Sequence, residues 1–590
     1  MKKIFYISAI VLGALCLAGC DNFLDTESLT KKNTGNFPKN EVDAAQMIAG
    51  IYAIMNDSLD EPESDPFFVF EMAGDDRLGG GSQSNIGAQS CDRLMNDIID
   101  KFKPIWDCRY SGLFRANYAI QAIETITDWT NSDMKAQYLG EAHFLRAFYI
   151  LNLAQLFGGA PMPLSVEATN LPKASAEEMY AQIAYDLKEA ITKMPSTKYP
   201  NFGEGHASKW AAEGLMARVW LFYTGFYKKS DLPLADAEGN ISGSVSKQEV
   251  VNWLDDCIKN SGHKLVSDQR NLWPYTNPYT AKDYKYVQDV LANEGVALNW
   301  ATDENIESMF AVKMSNKPGW DRPELRHNRI VEYFGFRKSG ANCFPFIPQG
   351  YSNGPVCLTL WEDWGKDPDY AGDYRREGSI CKRAVEIPEY GGDTAKEVEN
   401  TDLVAKKYMG CGAYDTDGSL RQSYAYFYGG ENDKQTGLTQ ALVWLRFADV
   451  LLMHSELTDG AVVYNGKSGL NAVRERAGLP DVSYSLDALK KERRYELCFE
   501  AVRWNDLRRW GDVEQIVKNQ EGNPILNQGA EGVYQFQSNH PFMTRYQETG
   551  GGFFKIPESQ VVLSEGVLEQ NPGWGNDTNF AKGDLPYFKK

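Results

Sequence analysis

Apolar positions along this chain obey a helical rule at its two ends and almost no rule in its middle. Between Lys135 and Phe157, apolar or small residues recur as Tyr138, Ala142, Leu145, Tyr149, Asn152 and Leu156, the three-to-four step of one helical face. Gly158-Gly159 and Pro161 then stop the run. Met179, Ile183, Leu187 and Ile191 repeat at intervals of four, behind the sequence Ser175-Ala-Glu-Glu178. That sequence predicts a capping box, in which the serine oxygen accepts from a free amide of the first turn while Glu178 reaches back. Pro195 closes the helix, and Trp210–Tyr223 supplies a third. Ala142, Ala147, Ala211 and Gly214 allow neighbouring helices to approach closely. From about 228 to 436 the periodicity fades into Gly, Pro, Asn, Asp and aromatics, as in Asn271–Tyr279 and Pro345–Pro355. So long an irregular stretch is functional or disordered, and its aromatic content argues for order. Helix returns at Thr439–Glu456, at Leu470–Ala477 before Gly478 and Pro480, and at Leu486–Trp510 before Gly511.

This pattern predicts an all-α fold, with helical hairpins stacked into a tetratricopeptide-like scaffold, a large irregular loop-rich insertion and little sheet. The strict repeat consensus is absent. The divisions are 1–19, a leader; 20–227, an N-terminal helical region; 228–436, the insertion; and 437–590, a C-terminal helical region. The last two pack with the first as one unit.

The leader has its own pattern. Lys2 and Lys3 precede an apolar run from Ile4 to Leu17, ending Leu17-Ala-Gly-Cys20. A helix over that run rises roughly 21 Å, short of the ~30 Å of bilayer hydrocarbon, so it reads as a secretory signal. Its ending resembles the bacterial lipobox, which predicts cleavage before Cys20 and lipidation of its thiol. Membrane attachment is then through the lipid anchor only. Asp21 follows, a residue that in some Gram-negative bacteria retains lipoproteins at the inner membrane.

Composition narrows the function. The 590 residues carry 61 Lys+Arg against 80 Asp+Glu, a net charge of −19, which argues against a nucleic-acid partner. Hydrophobic residues at 43% and charged residues at 24% are those of a folded chain, but 14 Trp and 31 Tyr are an excess that needs a role. Beyond Cys16 and Cys20, eight cysteines (Cys91, Cys108, Cys257, Cys343, Cys357, Cys381, Cys411, Cys498) form no C-x-x-C pair. The six histidines are equally dispersed, so no metal site and no cofactor is expected. Most of these thiols read as buried and free, although export permits disulfides. Asp367-Pro-Asp-Tyr-Ala-Gly-Asp373 imitates part of a calcium loop but lacks its third oxygen ligand and closing Glu.

Five ordered motifs resemble the SusD/RagB family of surface lipoproteins. They are Cys20-Asp-Asn-Phe-Leu-Asp25; Leu139–Tyr149 continuing to Leu156–Leu164; Ala207–Ala212; Leu445–Met453 with Asn471–Pro480; and Glu492–Gly511, with Lys555–Ser559 and Gln570–Trp574 completing the tail. Ser455 stands where an Ala is usual, and Ser28 where a Pro often sits. The resemblance implies a tetratricopeptide-like scaffold bearing a shallow ligand site, and no catalysis. It also implies an outer-membrane, cell-surface location, despite Asp21, above a SusC-like TonB-dependent transporter. Such proteins capture a glycan, or in some members a peptide, and close over the barrel as a lid, and the resemblance implies the same role here.

Several residues suit that role. Sugar rings present apolar faces to aromatics and hydroxyls to polar groups, so the candidates are Trp273, Tyr275, Trp320 and Tyr351 on the middle loops. Asp75, Asp76 and Arg77, ahead of Gly79-Gly-Gly81, suit hydrogen bonding to hydroxyls or peptide termini. The Gly-rich loop lacks the Lys-Ser/Thr of a nucleotide site. Packing of any of these aromatics onto the scaffold remains an equal alternative, and Trp106, Trp210, Trp361 and Trp364 read as core. A lipid-anchored glycoside hydrolase using carboxylates in the middle loops is the competing function. Glu496 and Glu500 lie one turn apart, feasible for a catalytic pair, but Arg493 and Arg503 flank them and oppose the raised pKa of a general acid. The stepped charges Arg493, Glu496, Glu500, Arg503, Asp506 and Arg509 read better as an ion-pair network along one helical face.

Overall fold

The computed structural model describes residues 37–575, apart from 58–61, 80–85, 96–99, 168, 202, 204, 316–326, 338–342, 348–349, 391–400, 528–529 and 537–539. The leader, Cys20 and Trp320 therefore lie outside the described residues.

The N-terminal block consists of α1 (Glu41–Asp57), α2 (Pro66–Ala73), α3 (Ile86–Arg93), α4 (Lys103–Thr125), α5 (Ser132–Phe157), α6 (Ala176–Lys193) and α7 (Lys209–Tyr227). Local chemistry sets their limits. Asn131 caps α5 by accepting from Asp133 N, Ser175 and Glu178 form the complete capping box of α6, and Ser208 caps α7. From Tyr138 to Phe157 every residue of α5 is buried, so this helix is enclosed on all sides and its polar groups need internal partners. They have them: His143 and Arg146 both meet Asp186, at 2.7 Å, and Glu141 accepts from Tyr52 and contacts His206. α1 packs on α4, α4 on α5, α5 on α6 and α6 on α7, the stacked-hairpin arrangement that the spacing predicts.

The stack does not stop at residue 227. α8 (Lys247–Asn260), begun by a second capping box from Ser246 and Glu249, packs on α7. It also packs on α13 (Phe447–Leu457), so a helix inside the irregular stretch joins the two helical regions. Between α8 and α13 lie the shorter α9 (Lys285–Glu294), α10 (Arg329–Phe334), α11 (Leu358–Lys366) and α12 (Arg375–Ser379). The described strands form six separate antiparallel ribbons of two strands each. One of them corrects the sequence reading. The helix expected over Thr439–Glu456 begins only at Phe447, because Leu442–Arg446 pairs with Ser308–Val312 and closes the insertion's base. A short apolar run such as Leu-Val-Trp-Leu does not reveal by periodicity which structure it takes.

After α14 (Gly469–Arg476), the long helix expected at Leu486–Trp510 is two: α15 (Leu486–Leu497) and α16 (Arg503–Trp510). Phe499 and Ala501 between them take φ of +65° and +59°, a conformation that costs roughly 1–2 kcal/mol for each such residue. The turn is held by Glu71, which accepts from Ala501 N at 2.6 Å.

That break changes the charge network. Of the expected ion pairs, Arg493–Asp506 at 2.9 Å and Asp506–Arg509 at 2.8 Å form, while Glu496 and Glu500 pair with other elements. Arg446 joins Glu307 (2.7 Å) and Glu500 (2.6 Å), and also reaches Glu496. Arg375 joins Asp373, Glu492 (2.6 Å) and Glu496 (2.8 Å). Arg476 reaches Glu307 and Glu496, Arg474 reaches Glu492, and Lys407 reaches Glu500 at 2.7 Å. Five carboxylates (Glu307, Asp373, Glu492, Glu496, Glu500) thus meet five cations (Arg375, Lys407, Arg446, Arg474, Arg476), all buried or nearly so. Burial pushes the Glu496 carboxyl up, but Arg476, Arg446 and Arg375 outweigh it and hold the group well below the usual carboxylate range.

Most of the aromatic excess is internal. Trp106, Trp210 and Trp364 are core, as the sequence predicts, while Trp361 is half-buried with the Arg376 guanidinium 4.3 Å above its ring. The eight cysteines are all buried. In the calcium-like segment Asp367 caps its own turn and pairs with Lys491, and Asp373 is engaged by Arg375 and the Trp364 indole.

Glu496→Gln removes one charge from the balanced cluster and leaves buried guanidinium groups undercompensated, so unfolding free energy should fall by about 3–5 kcal/mol in denaturant titration. Because the folded pKa of Glu496 lies below its unfolded value of about 4.3, its contribution is complete above that pH and is lost as pH falls through the depressed folded value. The wild type should therefore lose more stability on acidification below about pH 4 than the variant does. A second test concerns α13 and α14. A Cβ at Gly469 would lie 1.9 Å from the Leu451 carbonyl oxygen, so Gly469→Ala should force the helices apart and cost about 1–3 kcal/mol in the same measurement.

Candidate functional site

The insertion presents one ligand candidate to solvent on a rigid base. Residues 350–353 lie against α10 and its exit, joined by backbone bonds from Gly350 N to Phe336 O, Tyr351 N to Glu332 O, Ser352 N to Gly335 O and Asn353 N to Tyr333 O. Gly350 is required there, since a Cβ would come within 2.2 Å of the Gly335 carbonyl. Ser352, at φ +54°, turns the chain, and its hydroxyl accepts from Arg337 N at 3.1 Å. The Asn353 amide donates to Glu63 at 3.1 Å.

On this base three rings climb from core to surface. Phe68 is fully buried, Tyr333 sits edge-on to it at 6.2 Å, and Tyr351 lies 4.7 Å from Tyr333 at an interplanar angle of 39°. Tyr351 is 41% exposed. The Arg329 guanidinium stands 5.5 Å from the Tyr333 ring and donates to Glu332. Burial pushes the Tyr333 hydroxyl up to about 12, so it stays protonated and able to donate. The cavity behind the loop, about 30 Å³ and lined by Phe334, Phe336, Tyr390 and Leu403, has room for a water molecule and not for a sugar. Among the described residues, a ligand of this site rests on the surface, with the Tyr351 ring below it and hydroxyl and guanidinium groups beside it.

The other sequence candidates lie elsewhere. Asp75, Asp76 and Arg77 are at most 3% exposed and are committed to internal partners. Asp75 holds Arg503 at 2.7 Å and Asn519 at 2.6 Å. Burial pushes its carboxyl up, but Arg494 and Arg503 outweigh that and keep it ionised. Asp76 accepts from Arg494 at 2.9 Å. Arg77 pairs with Glu71 and lies 3.8 Å over the Phe334 ring, while its other arm donates to Gly354 O at 3.0 Å. This corrects the sequence reading: Arg77 supports the Tyr351 loop through Gly354, Asp75 and Asp76 hold arginines of the C-terminal helices, and the burial of all three keeps them from touching ligand. Trp273 (2% exposed) and Tyr275 (0%) are corrected likewise. Trp273 packs on Tyr408 beside Lys407, and the Tyr275 hydroxyl donates to Gly378 O at 2.7 Å. Trp320 lies outside the described residues. Tyr333 and Arg329 were missed. The signal for them in the sequence is a short capped segment, Asn328-Arg-Ile-Val-Glu-Tyr-Phe334, set among loop residues.

The carboxylate pair of the hydrolase reading is sealed. Glu496 is fully buried and Glu500 nearly so, and both are bound to Arg446. A glycosidic bond cannot reach them, and the depressed pKa of Glu496 opposes proton donation.

A family model described as "SusD family" matches residues 368–574, and one described as "Starch-binding associating with outer membrane" matches 22–221. SusD-like protein P38 of Formosa agariphila is 27% identical over 550 residues, covering 88% of this chain and 94% of its own. A SusD-like protein of Bacteroides ovatus is 24% identical over 470 residues, 77% of this chain and 74% of its own. Among solved structures, a laminarin-binding SusD-like protein superposes with a TM-score of 0.65 at 22% identity, covering 91% of this chain and 100% of that one. Surface glycan-binding protein A from Bacteroides thetaiotaomicron, in complex with laminarihexaose, gives 0.65 at 18% identity, covering 90% and 100%. With both of its halves matched by SusD models and its fold shared with solved SusD-like proteins, the chain belongs to the SusD/RagB family.

Proposed function

We propose that this protein is a non-catalytic surface lipoprotein that captures a glycan and delivers it, as a lid, to a SusC-like TonB-dependent transporter. The observation that carries this reading is the Phe68–Tyr333–Tyr351 ladder, which holds an exposed aromatic face on a backbone-pinned loop in a chain of this family. The solved relatives described as binding laminarin or laminarihexaose support a glycan over the peptide of the RagB-like alternative. The sealing of Glu496 and Glu500 supports capture without hydrolysis. Lipid attachment at Cys20 would hold the protein at the outer membrane, and Trp320 is retained as a proposed ligand contact.

Purified protein run through native gels cast with a panel of polysaccharides should be retarded by at least one of them and should release no new reducing ends. Release of reducing ends would overturn the non-catalytic reading. Tyr351→Ala should weaken retention about tenfold, the loss of one stacking contact, while its unfolding midpoint stays that of the wild type, since the side chain is exposed. Cys20→Ser should move the protein from the membrane fraction to the soluble one.

A further inference from the structure

A second aromatic surface stands on a different part of the insertion. The short turn Tyr424–Tyr428 buries Tyr424 but leaves Tyr426 39% and Tyr428 44% exposed. Phe427 stacks on Tyr279 at 4.3 Å and 12°, Tyr426 stands edge-on to Phe427 at 5.4 Å, and Tyr428 stands edge-on to Tyr279 at 5.7 Å. Four rings thus form a contiguous shelf.

The shelf is built, not frayed. Ser423 accepts from Ala425 N and donates to Gly437 O at 2.7 Å, and Gly429 ends the turn at φ +83°. Tyr279 sits on a turn capped by Asn277, whose side chain accepts from the amides of Tyr279 and Thr280. Thr280 in turn donates to Gly412 O at 2.9 Å. Rings fixed in this way lose little entropy when a ligand covers them, and exposed aromatic clusters of this kind mark binding surfaces. Polar groups border the rings. The Arg421 guanidinium lies 4.8 Å from the Tyr426 ring and pairs with Asp415, and the Asp417 carboxylate is largely exposed beside it.

We propose that this shelf is a second carbohydrate-binding surface, taking a pyranose segment of a neutral glycan. The ligand class follows from the chemistry. Rings that are mostly tyrosine offer π faces to sugar C–H groups and hydroxyls to sugar hydroxyls, and Asp417 adds an acceptor. Arg421 is already neutralised by Asp415, and a chain of net charge −19 repels polyanions, so uronate or sulfated chains are disfavoured. Asn328 N donates to Leu438 O and Gln435 donates to Glu332. The shelf's own segment is thereby tied to α10, and the two surfaces sit on one rigid body. This inference rests on the glycan-capture reading and adds a site to it.

The test uses the full mature chain and laminarin with other neutral polysaccharides as probes, followed by calorimetry with a hexasaccharide of whichever polymer retards the wild type. Tyr426→Ala/Tyr428→Ala should halve the number of hexasaccharides bound and weaken retention on the polymer about tenfold or more, because two linked sites bind a long chain with avidity. Tyr426→Leu/Tyr428→Leu keeps apolar bulk without the π face and should behave as the alanine variant does, whereas Tyr426→Phe/Tyr428→Phe should retain most of the binding. Unchanged stoichiometry in the alanine and leucine variants, with all binding abolished by Tyr351→Ala, would overturn the shelf and leave the single platform standing. Failure of every polysaccharide to retard the wild type would overturn both readings.

Discussion

Glu496 is the point on which the C-terminal half depends. A carboxylate with no exposed surface survives only if its partners more than replace water, and it has three guanidinium groups around it, from Arg375, Arg446 and Arg476. Each arrives from a different element: α12 inside the insertion, the end of the strand paired with Ser308–Val312, and the last turn of α14. Elements far apart in the chain are thereby fixed to one another. Hydrophobic packing holds the N-terminal hairpins together, where α5 is buried from Tyr138 onward. In the insertion, charge complementarity adds to an apolar core in which Leu360, Trp364 and Tyr370 pack against Ala477, Leu479 and Tyr495.

The helical half of this architecture was legible from periodicity and capping. Ser175 and Glu178, the 132–157 helix and its stop at Gly158 appear where the sequence puts them. The failures have physical causes. Leu442–Arg446 is too short for its period to discriminate strand from helix, and only its partner 130 residues upstream decides it. The break at Phe499–Ala501 carries no glycine or proline. Glu71, far away in the chain, imposes it by capturing Ala501 N. The stepped charges of 493–509 were correctly read as structural, and Arg493, Asp506 and Arg509 do pair with one another, but the break turns Glu500 toward Lys407 and Arg446.

The same reasoning explains why the candidate site was mostly misplaced. A tryptophan or an Asp-Asp-Arg run looks alike in sequence whether it faces ligand or core, and only three-dimensional partners tell them apart. Tyr275 is inside with its hydroxyl donating to the Gly378 carbonyl, and Trp273 is inside against Tyr408 with Lys407 near its ring. Arg77 is inside with Glu71 as its ion-pair partner and two aromatic faces against its guanidinium. Tyr351 remains outside, its backbone bonded to α10 and its ring against Tyr333.

These placements have a common consequence for binding. Glu71 holds both Ala501 N and Arg77, and Arg77 holds Gly354 and the face of Phe334, next in chain to Tyr333. One buried carboxylate therefore links the break between α15 and α16 to the loop that carries Tyr351. The loop is pinned at its base by charge and along its length by backbone bonds, so a ligand need not order it on arrival. What projects from this fixed frame is a ring face with a hydroxyl and a guanidinium beside it. Such a set suits a ligand with one apolar face and polar edges, since the ring takes the face and the polar groups take the edges.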